Sequence, residues 1–413
     1  MVNPFFFVIL FALLVEYVLG VVANLLNLRS LRSEPPTALE GLYGSEEYRR
    51  SQEYIRANTR LGLLSGTVDL VVVLCFWFAG GFNYLDQIVR SWGVHVIVSG
   101  LCYIGILLIG YSLIRLPSSI YRTFVIEERF GFNRTTPRTF VADMVKGLSL
   151  AVLLGGALLS GILALFQYAG HYAWVYCWMA FTVFTLVLEY VAPTWIMPLF
   201  NKFTPLQPGE LREAILSYAR SVDFPVRNVF VMDGSRRSGK SNAFLVGFGR
   251  NKRIALFDTL VNKHTVPELV AVVAHEIGHH KRKHILQGTI ISIAHAGVLF
   301  FLLSLFLGSP GLYEAFYMEQ PSVYSGIVFF GLLYTPLEMV LSVMMHALSR
   351  RNEYVADRFA AQTIEQPRHL IEALKKLYAG NLSNLMPHPF YVFLNYSHPP
   401  LLQRVRAILQ YET

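Results

Sequence analysis

GVHVIVSGLCYIGILLIGYSLI, residues Gly93–Ile114, holds no Asp, Glu, Lys or Arg. A helix needs about 20 largely apolar residues to cross about 30 Å of hydrocarbon, and only helices or closed barrels satisfy every backbone polar group there. Outward from this run, six more stretches of the same kind follow: Phe5–Leu26, Leu61–Ala79, Gly147–Tyr168, Tyr172–Tyr190, Leu286–Gly308 and Val323–Leu348. Asp69 interrupts the second span and Glu338 the seventh. Met1–Pro4 carries no positive charge and Glu16 sits inside the first run, so that run reads as a retained helix and not as a removed signal. The predicted class is a predominantly α-helical, polytopic membrane protein with seven transmembrane helices.

Composition agrees. Of 413 residues, 54% are hydrophobic and 15% charged, with a mean hydropathy of +0.44, whereas soluble domains carry roughly 25% charge. A soluble chain is excluded. The surplus of 35 Lys and Arg over 27 Asp and Glu therefore reads as cations that face anionic membrane lipid and set orientation, and not as a nucleic-acid surface. Cys75, Cys102 and Cys177 lie in apolar stretches without Cys-x-x-Cys spacing, so they read as packing residues and not as a disulfide framework or thiolate site.

Lys and Arg are concentrated in alternate connections. Leu28–Arg60 contains Arg29, Arg32, Arg49, Arg50, Arg56 and Arg60, and the third connection contains Arg115, Arg122, Arg129, Arg134, Arg138 and Lys146. Gly80–Trp92 has Arg90 alone, and Ala169–His171 and Ser309–Ser322 have neither residue. The expected orientation puts the N-terminus outside and the polar segments on the cytoplasmic side. Residues 1–190 then form five spans with their loops, 191–285 a cytosolic domain, 286–348 the last two spans, and 349–413 a cytosolic tail.

In 191–285 charge returns. Pro205, Pro208 and Gly209 punctuate the chain before an amphipathic helix pattern at Glu210–Val222, Asn228–Met232 reads as a strand, and Ala243–Phe248 with Arg253–Phe257 reads as a hairpin about Gly249–Lys252. Pro267 then starts a helix with Glu268 near its beginning and Lys281, Arg282 and Lys283 near its end, matching the helix dipole.

That helix contains His275-Glu276-Ile277-Gly278-His279. Histidines four apart share a helical face and can bind one zinc ion, and the glutamate beside the first is placed to take a proton from an attacking water. His280 and His284 form a rival pair, but lysine stands at 281 in the base position and Lys283 repels a divalent cation, so they read as surface or headgroup residues. A catalytic zinc site takes three protein ligands. Glu353 is the candidate third: the helix of His275 leads into span six and span seven leads into Glu353, so the hairpin returns the chain beside the metal. Asp357, one turn further on, is placed to hydrogen-bond a ligating imidazole.

His275–His279, the Glu353 to Asp357 spacing and Ser241–Phe244 followed by Asn251–Leu260, together with Pro198–Leu206, Thr123–Asn133 and Ser397–Pro400, resemble the integral-membrane zinc CAAX prenyl protease family. This is the type that cleaves farnesylated proteins, and the resemblance covers nearly the whole chain. It implies a zinc metalloendopeptidase with one zinc per chain, held by His275, His279 and Glu353, with Glu276 activating water and passing the proton to the leaving amine. His398 would stabilise the oxyanion, accompanied by Arg404, and Asn242 and Ala243 would lie on an edge strand that pairs with an extended substrate. The resemblance also implies a water-filled chamber among the spans, which would accommodate Glu16, Asp69, Glu189, His295, Glu338 and His346; pairing between helices is the alternative.

The expected substrate is a lipidated or apolar peptide. The tail to Thr413 has no recognisable retrieval signal, so the expected membranes are the bacterial inner membrane and the endoplasmic reticulum. The rival functions are an intramembrane metalloprotease, disfavoured by Glu268, Glu276, Lys281, Arg282 and Lys283 in one helix, and a zinc transporter or scaffold, neither of which needs Glu276.

Overall fold

The computed structural model describes residues 2–411 except 32–44, 225, 227, 228 and 248–252. Its main elements begin with α1 (Pro4–Arg29), α2 (Glu46–Phe78), α3 (Gly81–Ser91), α4 (Val96–Glu127), α5 (Pro137–Tyr168) and α6 (Gly170–Phe200). The sheet region follows, with β1 (Phe203–Pro205), α7 (Glu210–Ser221), β2 (Val229–Met232), β3 (Ala243–Val246) and β4 (Arg253–Phe257). The chain ends with α8 (Val266–Lys281), α9 (His284–Phe306), α10 (Val323–Leu333), α11 (Thr335–Thr363), α12 (Arg368–Gly380) and α13 (Leu401–Leu409).

Among the described residues six helices are long and apolar enough to span a membrane singly, and α10 with α11 forms a seventh, broken candidate. The seventh apolar run is therefore not one straight helix: α10 and α11 meet at 54°. Pro336 is the physical reason, since it has no N–H to give the preceding turn and its ring clashes there. Several helices outrun their apolar stretches. α2 starts at Glu46, well before Leu61, and α4 passes Pro117 and ends in a π-helical turn at Arg122–Glu127. α11 likewise continues past Leu348, so Glu353 and Asp357 lie on its polar extension.

Gly80–Trp92, read as a bare connection, is mostly the helix α3. Phe82 and Val89 on its inner face are buried, and buried Asp86 takes Arg90 at 2.7 Å and the Tyr324 hydroxyl. Trp77 donates to Ala315 O at 2.8 Å and stacks on Phe316, which stacks on Phe329 at 3.9 Å. These rings belong to one buried apolar cluster that also takes in Phe82 and Val89 of α3.

Ionisable groups within the apolar spans mostly pair across helices. Asp69 pairs with Arg115, Glu189 accepts from Thr289 Oγ1 at 3.1 Å, and His295 contacts Tyr334 Oη at 2.9 Å and Glu338 at 3.5 Å. Glu16 instead lines a cavity of about 400 Å³ shared with Asp69, and His346 is half-buried. All three cysteines are free thiols. Cys177 is buried and Cys102 half-buried, but Cys75 is exposed on α2, so the packing role expected for it fails: its position on the helix faces outward.

The sheet order is β1-β2-β4-β3, which leaves β3 at an edge. The expected hairpin is present as antiparallel β3 and β4, with Ala243 opposite Leu256 and Val246 opposite Arg253; its turn, Gly249–Lys252, lies outside the described residues. β1 is an additional strand that ends in Pro205, tolerated because an edge strand can do without one N–H. Helix α8 begins with a capping box, Thr265 against Glu268, and Lys376 pairs with Glu268 at 2.7 Å. Its buried face, including Leu269, Val273 and Ile277, joins Ile215 of α7, Leu256 of β4 and Leu370 of α12 in one core. Gly278 lets α8 approach α11 closely: a Cβ there would meet Ala356 O at 3.1 Å.

Candidate active site

Helix geometry puts His275 and His279 one turn apart on the face of α8 that meets α11, and Glu353 points back from α11. His279 Nε2 lies 3.1 Å from His275 Nε2 and 3.2 Å from Glu353 Oε1, and His275 Nε2 lies 3.6 Å from Glu353 Oε2. Ligands about 2.1 Å from one ion stand roughly 3.4 Å apart along a tetrahedron's edges. The three groups therefore have the spacing of a metal site. The chemistry fits as well: Glu353 Oε2 is buried without a hydrogen bond and has only the Arg404 guanidinium at ion-pair distance, 3.2 Å, so the carboxylate keeps lone-pair capacity for a metal.

Behind the triad, His275 Nδ1 lies 2.9 Å from Asp357 Oδ1. Arg404 of α13 grips Asp357 with two bonds, Nε to Oδ2 at 2.8 Å and Nη2 to Oδ1 at 2.6 Å, and its Nη1 reaches Glu353 Oε2 at an ion-pair distance of 3.2 Å. Arg404 is 4% exposed, so its guanidinium is taken up by two carboxylates instead of standing free in the groove. Burial works against charge on His275, but Asp357 and Glu353 outweigh it and raise its pKa. Burial pushes Asp357 up, and Arg404 more than offsets this, leaving the carboxyl lowered to about 2. Burial raises Glu276, the direction a general base working near neutral pH needs.

A groove of about 940 Å³ runs over this site, lined by Glu276, His279, Glu353, Asn242, Ala243 and His398 among others. His398 stands with Nε2 3.4 Å from Glu353 Oε1 and its side chain 59% exposed, while Nδ1 meets Ser397 Oγ at 3.0 Å. Asn242 O accepts from Phe257 N at 3.0 Å at the mouth of β3, and Asn242 Oδ1 accepts from Ala243 N at 2.9 Å. One edge of β3 is paired with β4, and among the described residues the other has no partner strand. The structure thus gathers His275, Glu276, His279, Glu353, His398, Arg404, Asn242 and Ala243 around one groove, with Asp357 behind His275.

Three sets of contacts here escape the sequence. Asn381 clamps the residue before Asn242, accepting from Ser241 N at 2.9 Å and donating to Ser241 O at 3.0 Å. Lys240 ties the same segment to the membrane helices through Glu127 at 3.0 Å and Tyr54 Oη at 2.6 Å, and Arg237 pairs with Asp143 at 2.7 Å. The third refines an expectation: His284, read with His280 as a surface or headgroup residue, is half-buried and turned toward the site. Its Nδ1 lies 3.1 Å from His279 Nδ1, whereas His280 packs on the Phe224 ring. The one available signal was the proximity of His284 to the motif; its direction depends on a turn that helical periodicity does not encode.

Two family models cover the chain, one described as CAAX prenyl protease N-terminal, five membrane helices, over residues 24–202, and the other as peptidase family M48, over residues 205–412. The chain belongs to the M48 peptidase family. Among relatives, CAAX prenyl protease 1 of Saccharomyces cerevisiae is 35% identical over 90% of this chain and 88% of its own length. The probable CAAX prenyl protease 1 of Schizosaccharomyces pombe is also 35% identical, covering 92% of this chain and 82% of its own. The human homologue is 32% identical over 90% of this chain. The crystal structure of Ste24p from S. mikatae superposes with a TM-score of 0.93 at 32% identity, covering 99% of this chain and 100% of that one. This M48 peptidase is a multi-pass membrane metalloendopeptidase, with a His-His-Glu group that can hold a metal ion.

Proposed function

We propose that this M48 peptidase is a zinc enzyme that cleaves CAAX-type prenylated peptides, held in the endoplasmic reticulum membrane with the groove on the cytoplasmic side. The observation that carries the reading is the convergence of His275, His279 and Glu353 at tetrahedral spacing in a groove that Glu276 also lines. Cysteine is absent from that set, so two imidazoles and a carboxylate match the donor set of hydrolytic zinc. When bound, zinc supplies Lewis-acid activation of the attacking water and the scissile carbonyl.

The chain's own groups do the rest. Glu276 takes a proton from the water and returns it to the leaving amine. His398, across the groove from Glu276's helix, donates to the developing oxyanion. The free edge of β3 at Asn242 and Ala243 pairs with an extended peptide and fixes which bond lies over Glu276. Arg404 acts through Glu353 and Asp357, whose carboxylates it holds, and does not touch the peptide. The names of the relatives support the prenylated substrate, their eukaryotic sources support the endoplasmic reticulum, and the Arg-rich connections support the orientation. In this reading residues 191–285 and 349–413 together form the cytosolic peptidase domain.

The test is turnover of a farnesylated reporter peptide by wild type and Glu276→Gln. Loss of general-base catalysis should lower kcat about 10²- to 10⁴-fold with zinc content unchanged. Equal turnover by both proteins would end the proposal, and zinc flux in proteoliposomes that persists in Glu276→Gln would replace it with transport.

A further inference from the structure

We propose that His284 is a positioning residue for the metal: its Nδ1 accepts a hydrogen bond from Nδ1–H of His279 and fixes that ligand with Nε2 turned to the ion. This rests on His279 being a metal ligand, the reading argued above.

The geometry leaves His279 one assignment. Its Nε2 faces His275 Nε2 at 3.1 Å and Glu353 Oε1 at 3.2 Å, so Nε2 is the atom that would meet the ion and Nδ1 must carry the proton. Metal-ligating histidines almost always donate that second N–H to an acceptor. For His275 the acceptor is Asp357, at 2.9 Å. For His279 the atom in place is His284 Nδ1, at 3.1 Å, with the two rings 5.0 Å apart at centroid and inclined by 78°. An N–H in the plane of one ring can then point at the in-plane lone pair of the other. In that role His284 accepts at Nδ1 and would hold its single proton on Nε2, as a neutral imidazole does.

The backbone shows how His284 comes to be there. Five residues along an unbroken helix rotate a side chain about 140° away from its starting face. The chain is broken between α8 and α9 by Lys283, a non-glycine residue at φ 59°, ψ 29°. That left-handed conformation costs an L-residue free energy that glycine would not lose, and here it folds the first residue of α9 back over the end of α8. Arg282, the other neighbour at this turn, is directed to the Phe359 ring and offers no acceptor.

The two metal-facing histidines are therefore held differently, one by a buried carboxylate that Arg404 secures and the other by a neutral imidazole. Zinc binding to the full-length protein in detergent, measured by competition with a chelator, separates this role from a packing role. His284→Phe keeps a ring but has no acceptor, and zinc affinity should fall about 10- to 100-fold. His284→Asn restores an acceptor and should recover most of that loss. If Phe binds zinc as tightly as wild type, or Asn binds no better than Phe, the proposal is wrong. A second measurement needs no variant: in zinc-loaded wild type labelled with ¹⁵N-histidine, the proton should reside on His279 Nδ1 and on His284 Nε2. A proton on His284 Nδ1 would overturn the assignment. Failure of wild type to bind zinc at all would remove the ligand reading together with this one, whereas tight binding unaffected by both variants would remove this one alone.

Discussion

Leu256 in β4 and Ile277 in α8 are fully enclosed by protein, whereas Phe11 on α1 and Val183 on α6 stand 70% and 60% exposed. Polar groups show the reverse contrast. In the spans they occur as separated groups such as Glu189 with Thr289, but around α8 and α11 they join into a single network from half-buried His284 through His279 to buried Glu353, Arg404 and Asp357. Apolar character in the spans therefore reports surrounding lipid, while in the peptidase part it reports packing. The same substitution should have different consequences in the two places.

Arg404→Leu is expected to cost the most. It leaves two buried carboxylates without their cation, a loss of about 3–5 kcal/mol, and it should lower the thermal midpoint of the peptidase part and its zinc content together. Leu256→Ala opens space in a packed core and should cost about 3 kcal/mol in unfolding. Asn381→Ala removes both side-chain bonds to Ser241, so β3 is less firmly held. About 1 kcal/mol of lost positioning should appear as a several-fold rise in KM with little change in kcat. Val183→Ala, on the lipid side, should stay within about 0.5 kcal/mol. If Val183→Ala proves as costly in detergent or bilayer as Leu256→Ala, α6 packs on protein there and the contrast fails.

The contrast also explains what could be read in advance. Bilayer thickness fixes how long a spanning run must be, so seven candidate spans were legible as local stretches. The break between α10 and α11 was present as Pro336 but is silent in a hydropathy window, and α3 is too short and too mixed to register as anything but a connection. β1 was hidden because Pro205 reads as punctuation, although an edge strand accepts it. At the site, the four-residue spacing of His275 and His279 is a property of one helix and needs no fold to be noticed. Glu353 required the hairpin topology that brings α11 beside α8. Asn381 bonds to backbone atoms 140 positions earlier, and His284 depends on the left-handed turn at Lys283. No pattern of residue types specifies either.

The central claim is that α8 and α11 share one ion. Anomalous scattering from crystals of the zinc-loaded protein, collected on both sides of the zinc edge, tests it without reference to any substrate. The expected result is one peak per chain, about 2.0–2.2 Å from His275 Nε2, His279 Nε2 and a Glu353 oxygen. No peak there, or a peak bound by the imidazoles with Glu353 turned away, would contradict it.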